Sequence, residues 1–344
     1  MTMHTQDTNL HDTGTAITGV SLDTWWISQN VLVDSENGYG FRGTGDFCAL
    51  INNGTLWSET NFGVRYEGTN GHVFNSILGT IGGHGGISLS PGTRLENSGK
   101  IISTGNGVGS AGIEVVAGAD VPTRIENSGT VSGEIALLAL ARVSLQNTGD
   151  VFGHIVLGGA PDVIRNAGTI LGDISLGGGA DLYDGSGGLV QGVIDGGGGS
   201  DTIIGGIESD FLVGGRGNDT VRGGGGDDTI IGCYGRDILK GGAGADTFAF
   251  ANLRQADKIA DFNADEDLIH LEDSALKGMS GTGGLAASAF HIGAVATDDD
   301  HRIIYDEETG KLYYDRNGDA AGGVTKIARL SPGLDLSHQH FEII

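Results

Sequence analysis

The chain has 344 residues, 65 of them glycine and only 4 proline, with 44 acidic against 19 basic side chains for a net charge of −25. Glycine at this level without a G-X-Y period excludes collagen, and 38 % hydrophobic residues excludes a disordered tail, so the glycines serve a repeated backbone geometry. Nucleic acid is excluded as a partner because phosphate contacts need clustered lysine and arginine; cations are expected instead.

Met1 to Gly14 is polar, with no basic stretch followed by an apolar one, so no signal peptide of the usual kind is expected. The longest apolar run, Ile135 to Ala141, is too short to cross a bilayer, and no transmembrane segment is expected. Residues 1–46 fit no repeat and read as an N-terminal cap. Within them TWWISQNVLV (24–33) reads as a strand whose Trp25 and Trp26 cover an apolar layer, with an aromatic sugar platform as the alternative. Cys48 and Cys233 read as buried thiols rather than a disulfide framework.

From 47 to 195 one template recurs: apolar, any, Asn, any, Gly, any, apolar. TRLENSGKI (93–101), TRIENSGTV (123–131), VSLQNTGDV (143–151) and DVIRNAGTI (162–170) carry it, ALINNGTLW supplies an earlier copy, and DLYDGSGGL is a degenerate one. The shared position holds Asn52, Asn97, Asn127, Asn147, Asn166 and then Asp184, with separations after Asn97 of 30, 20, 19 and 18 residues. This spacing predicts a right-handed parallel β-helix of coils about 20 residues long, with the asparagines stacked into an amide ladder. The 30-residue step predicts an insertion or an extra strand around 105–119. Each coil carries a second strand, as in GEIALLAL, GHIVLGGAPD and GDISLGGGAD.

Residues 196–249 are six contiguous nonapeptides: GGGGSDTII, GGIESDFLV, GGRGNDTVR, GGGGDDTII, GCYGRDILK and GGAGADTFA. Their sixth positions are Asp201, Asp210, Asp219, Asp228, Asp237 and Asp246, and their eighth are Ile203, Leu212, Val221, Ile230, Leu239 and Phe248. The glycine-rich half turns sharply and offers carbonyls; the other half forms a short strand with its eighth-position side chain inward. Two repeats make one coil, so Asp201, Asp219 and Asp237 stack in one column and Asp210, Asp228 and Asp246 in a second. Like charges so stacked repel unless a cation lies between them, and calcium takes this mixture of carboxylate and carbonyl oxygens. The pattern resembles the calcium-binding nonapeptide repeat of RTX (hemolysin-type) proteins. That resemblance implies a calcium β-roll over 196–250, with turn carbonyls from Gly197, Gly199, Gly206, Gly215, Gly217, Gly224, Gly226, Gly235, Gly242 and Gly244 beside the six aspartates. Glu208 and Cys233 replace glycines of the pattern and put the sites that they border in doubt, because left-handed backbone penalises a Cβ. Upstream, Asp162 and Asp181 sit at the aspartate position of half-formed nonapeptides and read either as a further calcium position or as surface turn residues.

Residues 251–344 read as a small C-terminal β cap, with Ile303 to Tyr305 and Lys311 to Tyr314 flanking an E-E-T-G turn as a hairpin. Asp315, Asn317 and Asp319 are spaced like calcium-loop ligands, but position twelve is Lys326 rather than glutamate, and a solvated turn is the plainer reading. The segment resembles the serralysin-like C-terminal region of secreted RTX proteins, which implies export by type I machinery of a Gram-negative bacterium. No H-E-x-x-H or G-x-S-x-G occurs, and the G-x-G-x-x-G match at 107–112 precedes a strand-like run rather than a helix. The whole therefore reads as an all-β secreted calcium solenoid without catalysis, acting at a cell surface or in a matrix and engaging a glycan. The alternative is a polysaccharide lyase or epimerase built on the β-helix with an RTX module.

Overall fold

The computed structural model describes residues 2–106, 109–118, 120–276 and 282–344; Gly107 and Val108 of the G-x-G-x-x-G match and Gly278 to Gly281 of the small-residue stretch lie outside them. The chain divides into two units, residues 1–192 and 193–344. Among the described residues no helix is long and apolar enough to cross a membrane.

The first unit is a stack of parallel coils with three rows of strands. One row runs from Thr2–Gln6 through Asp23–Ile27, Ala49–Asn52, His72–Asn75, Arg94–Asn97, Thr123–Asn127, Val143–Asn147 and Val163–Asn166 to Leu182–Asp184. The template-free first 46 residues thus carry strands in the same parallel registers as those that follow. Trp25 stacks on His4 with ring centroids 4.4 Å apart, whereas Trp26 is exposed. Long strands such as Thr80–Leu89 break midway and serve the other two rows, so a coil has three sides, not the two expected from sequence. The third-row strands are as short as Ile113–Val115 and Ile174–Ser175, too brief to show a period. The extra residues of the 30-residue step fall on both sides of Ile113–Val115, between it and Lys100–Ser103 and between it and Thr123–Asn127; Lys100–Ser103 and Ile113–Val115 pair with the two halves of Thr80–Leu89.

Inside, Leu50, Val73, Leu95, Ile125, Leu145, Ile164 and Tyr183 lie in register and are no more than 3 % exposed. Each such side chain contributes about 1.5–3 kcal/mol by leaving water. At the bend after this row the asparagines form the expected ladder. Asn52 Nδ2 donates to Asn75 Oδ1 at 2.8 Å, Asn75 to Asn97 at 2.8 Å and Asn97 to Asn127 at 2.7 Å. Asn127 donates to Asn147 at 2.7 Å and Asn147 to Asn166 at 2.8 Å. Asn75 is a rung that the template missed, because in HVFNSILGT the glycine follows four residues after the asparagine instead of two. Asp184 is not a rung: it pairs with Arg165, which puts Gly185 opposite Asn166, and its Oδ1 accepts from Ser186 instead.

The second unit has two rows. Thr202–Ile204, Thr220–Gly225, Ile238–Ala243 and Asp257–Ile259 form one; Val193–Asp195, Phe211–Arg216, Thr229–Tyr234, Thr247–Phe250 and Leu268–Leu271 form the other. All six eighth-position side chains are fully buried, as the nonapeptide period requires. The expected hairpin is present, with Ile303–Asp306 antiparallel to Lys311–Asp315, and Val324–Arg329 joins it. Val324–Arg329 then pairs with Asp257–Ile259, and Phe341–Ile343 with Leu268–Leu271, so the C-terminal strands cover the last edge of both rows.

Replacing a middle rung leaves a buried amide donor above and a buried acceptor below without their partners, at about 1–3 kcal/mol each. Asn127→Ala is therefore expected to lower the urea midpoint, followed by tryptophan fluorescence, more than Asn52→Ala at the start of the ladder; equal losses would contradict the ladder.

Candidate metal centre

Each nonapeptide aspartate stands where a glycine turn enters a strand, with its side chain folded back over its own turn. That fold explains the first-position glycines, whose role the sequence reading did not assign. A Cβ on Gly214 would lie 2.8 Å from Asp219 Oδ2, and one on Gly232 would lie 2.5 Å from Asp237 Oδ2. A Cβ on Gly217 or Gly235 would overlap the carbonyl oxygen of Gly199 or Gly217 in the coil above. Of the ten turn glycines singled out from sequence, all but Gly206 have left-handed φ, from 83° at Gly197 to 151° at Gly235.

The carboxylates are stacked through the backbone. The Asp201 N–H donates to Asp219 Oδ1 (2.8 Å), that of Asp219 to Asp237 Oδ1 (2.8 Å) and that of Asp237 to Asp257 Oδ1 (3.0 Å). In the other column Asp210 donates to Asp228 (2.8 Å), Asp228 to Asp246 (3.0 Å) and Asp246 to Asp267 (3.0 Å). Each column thus holds four carboxylates in this unit, where three were expected. Asp257 and Asp267 lie beyond the last glycine turn, but both keep the Asp-x-apolar triplet of the repeats, in DKI and DLI, and that signal was available in the sequence.

One oxygen of each stacked carboxylate is so engaged. At three positions the other is not: Oδ2 of Asp219, Asp228 and Asp237 is buried with no hydrogen-bond partner, and these residues are each 1 % exposed. Burial pushes Asp219 and Asp246 up to about 6 and Asp228 and Asp257 up to about 7, with neighbouring carboxylates in the column adding to the rise. Asp210, Asp237 and Asp267 are raised for the same first reason.

The two departures behave differently. Cys233 holds a left-handed φ of 70°, a strain of about 1–2 kcal/mol for a residue with a Cβ. In the second repeat neither Gly206 nor Glu208 is left-handed, and the Gly206 N–H donates to Asp210 Oδ2 at 2.7 Å. That turn has spent the oxygen which Asp219, Asp228 and Asp237 hold free.

Buried carboxylate oxygens without partners, beside turns whose carbonyls crowd the next coil, suit a hard cation bound by oxygen. Among the described residues no three acidic, histidine or cysteine side chains converge on one point, so such an ion draws on backbone carbonyls as well. A family model, the RTX calcium-binding nonapeptide repeat, matches at 193–212, 204–232 and 222–250. Residues 193–250 are RTX calcium-binding repeats. Calcium is their cation, and the RTX array sits within a β-solenoid of parallel coils. No curated protein matches the chain. Among solved structures, the solution structure of the AlgE6R3 subunit from the Azotobacter vinelandii mannuronan C5-epimerase is similar at 31 % identity. The similarity covers 41 % of this chain and 77 % of that one, with a TM-score of 0.28.

In the unfolded chain these aspartates ionise near 3.8, while in the roll Asp219 and Asp228 ionise near 6 and 7. Between those values the fold keeps protons that the unfolded chain has lost, so the stability that these two carboxylates contribute to the calcium-free roll is fully present below 3.8 and is lost as pH rises to about 7. In calcium-free buffer, far-UV circular dichroism is expected to show more strand at pH 5.5 than at pH 8. An identical spectrum at both would show that the buried carboxylates do not set the stability of the roll.

Proposed function

We propose that the protein is exported and folds outside the cell as calcium loads its aspartate columns, and that it acts there as a surface, matrix or adhesive protein without catalysis. One observation carries this: the column oxygens of Asp219, Asp228 and Asp237 are buried without partners, so at neutral pH the roll is unstable until a cation reaches them. The Oδ2 atoms of the column aspartates and the carbonyls of the flanking glycine turns would hold the ion; calcium supplies the positive charge that offsets their burial. Calcium modules outside cells bind at about 10⁻⁴–10⁻³ M, far above cytosolic calcium, so the array stays unfolded during synthesis and passes a type I channel as an open chain. Residues 251–344, which cover the last strand edges, carry the export information in this reading, and a cell-surface or matrix glycan is its partner.

The repeated charges of the first unit support a role without catalysis. Arg94 pairs with Glu96 at 3.0 Å and with Glu126 at 3.1 Å, and His72 with Glu96 at 2.9 Å. These exposed and half-buried groups are spent on one another along the strand row. A lyase or epimerase instead needs an acid and a base directed at substrate.

Two outcomes test the reading. Asp219→Asn and Asp228→Asn are expected to raise the calcium midpoint of folding several-fold and Asp210→Asn by less, because Gly206 already occupies its Oδ2; equal shifts would contradict the assignment of the ligands. Purified protein loaded with calcium is expected to leave alginate and pectin unchanged, and unsaturated or epimerised products above a heat-killed control would establish the enzyme reading instead.

A further inference from the structure

We propose that the first unit also binds one calcium ion, between the turns 157–162 and 176–181, outside the nonapeptide array. Asp162 and Asp181 are 1 % and 3 % exposed, so they are not surface turn residues. They repeat the hydrogen bond that defines the columns of the roll: the Val143 N–H donates to Asp162 Oδ1 at 2.6 Å, and the Asp162 N–H to Asp181 Oδ1 at 2.6 Å. Asp162 Oδ2 is buried and has no hydrogen-bond partner, the same condition as in Asp219, Asp228 and Asp237. The turn before Asp181 has the backbone of the nonapeptide repeats, with φ of 85° at Gly177 and 126° at Gly179 against 83° and 140° at Gly197 and Gly199. A Cβ on Gly177 would overlap the Gly158 carbonyl oxygen, as one on Gly215 would overlap that of Gly197. Three separate marks of the roll therefore recur here, in a coil whose sequence lies outside the family match.

The differences bear on how the site is built. Leu157 and Leu176 stand where the repeats have their first glycine, and both are buried in the core, so they bring carbonyls but leave less room beside the carboxylate. Gly158 is not left-handed, which makes the first turn resemble that of Gly206. The donors are all oxygens, from Asp162 and the carbonyls of the two turns, which selects a hard divalent cation over zinc or copper.

The inference rests on reading buried, unpartnered aspartate oxygens as calcium positions, and the test separates the two. Calcium stoichiometry would be measured by native mass spectrometry on the full chain and on Asp162→Asn, Asp184→Asn and Asp219→Asn. Asp162→Asn is expected to lose one ion, Asp184→Asn none, and Asp219→Asn ions of the roll. Asp162→Asn with the full complement, beside a loss in Asp219→Asn, would overturn this site and leave the roll reading intact; no calcium bound to the unaltered protein would overturn both. Should Asp162→Asn misfold, a terbium-soaked crystal of the unaltered protein decides: ion density within about 2.6 Å of Asp162 Oδ2 supports the site, and its absence refutes it.

Discussion

The second unit depends on one hydrogen bond, repeated at every coil, from the backbone N–H of one aspartate to Oδ1 of the next. It fixes the carboxylate in place, holds adjacent turns in register and drives the second oxygen into the interior. There Oδ2 of Asp219, Asp228 and Asp237 has no donor. An aspartate ion only accepts hydrogen bonds, so stacked carboxylates cannot bond one another; where a backbone N–H reaches Oδ2, as that of Gly206 does at Asp210, the oxygen is satisfied, and elsewhere the column stays open. A proton or a metal ion must close it, which makes the fold of this unit conditional on its surroundings.

The first unit meets a similar stacking problem with a different side chain. An asparagine carries both donor and acceptor, so Asn52, Asn75, Asn97, Asn127, Asn147 and Asn166 close their column with bonds of 2.7–2.8 Å and need nothing from solution. One buried column is permanent and the other is switchable, and the chemical difference between them is an amide in place of a carboxylate. The proposed folding on calcium outside the cell rests on the second kind, and a rigid scaffold needs the first.

Much of this was legible because strict period and side-chain chemistry coincide. The six eighth-position side chains, the aspartate columns and five rungs of the asparagine ladder follow from spacing alone. What spacing lost has physical causes. Asn75 is displaced from its glycine by two extra residues that bulge at the bend, and Asp184 falls one residue short of the register because the glycine-rich turn changes length. The third row of strands rests on two- and three-residue segments whose pairing is set by neighbouring coils and not by local pattern. Asp257 and Asp267 continue the columns after the glycines stop, since the Asp-x-apolar triplet and not the turn fixes the column. The role of the first-position glycines has no local signature, because their purpose is room for a carboxylate and not left-handed backbone.

Hydrogen exchange resolved along the full chain at pH 7.5 measures this division directly, with calcium present and after its removal. The amide protons of Asp201, Asp219, Asp228 and Asp237 are predicted to be protected with calcium and to exchange freely without it, while those of the ladder coils from 49 to 147 stay protected in both. Equal protection of the aspartate columns without calcium would contradict the account, because the buried carboxylates would then be stable with nothing to close them.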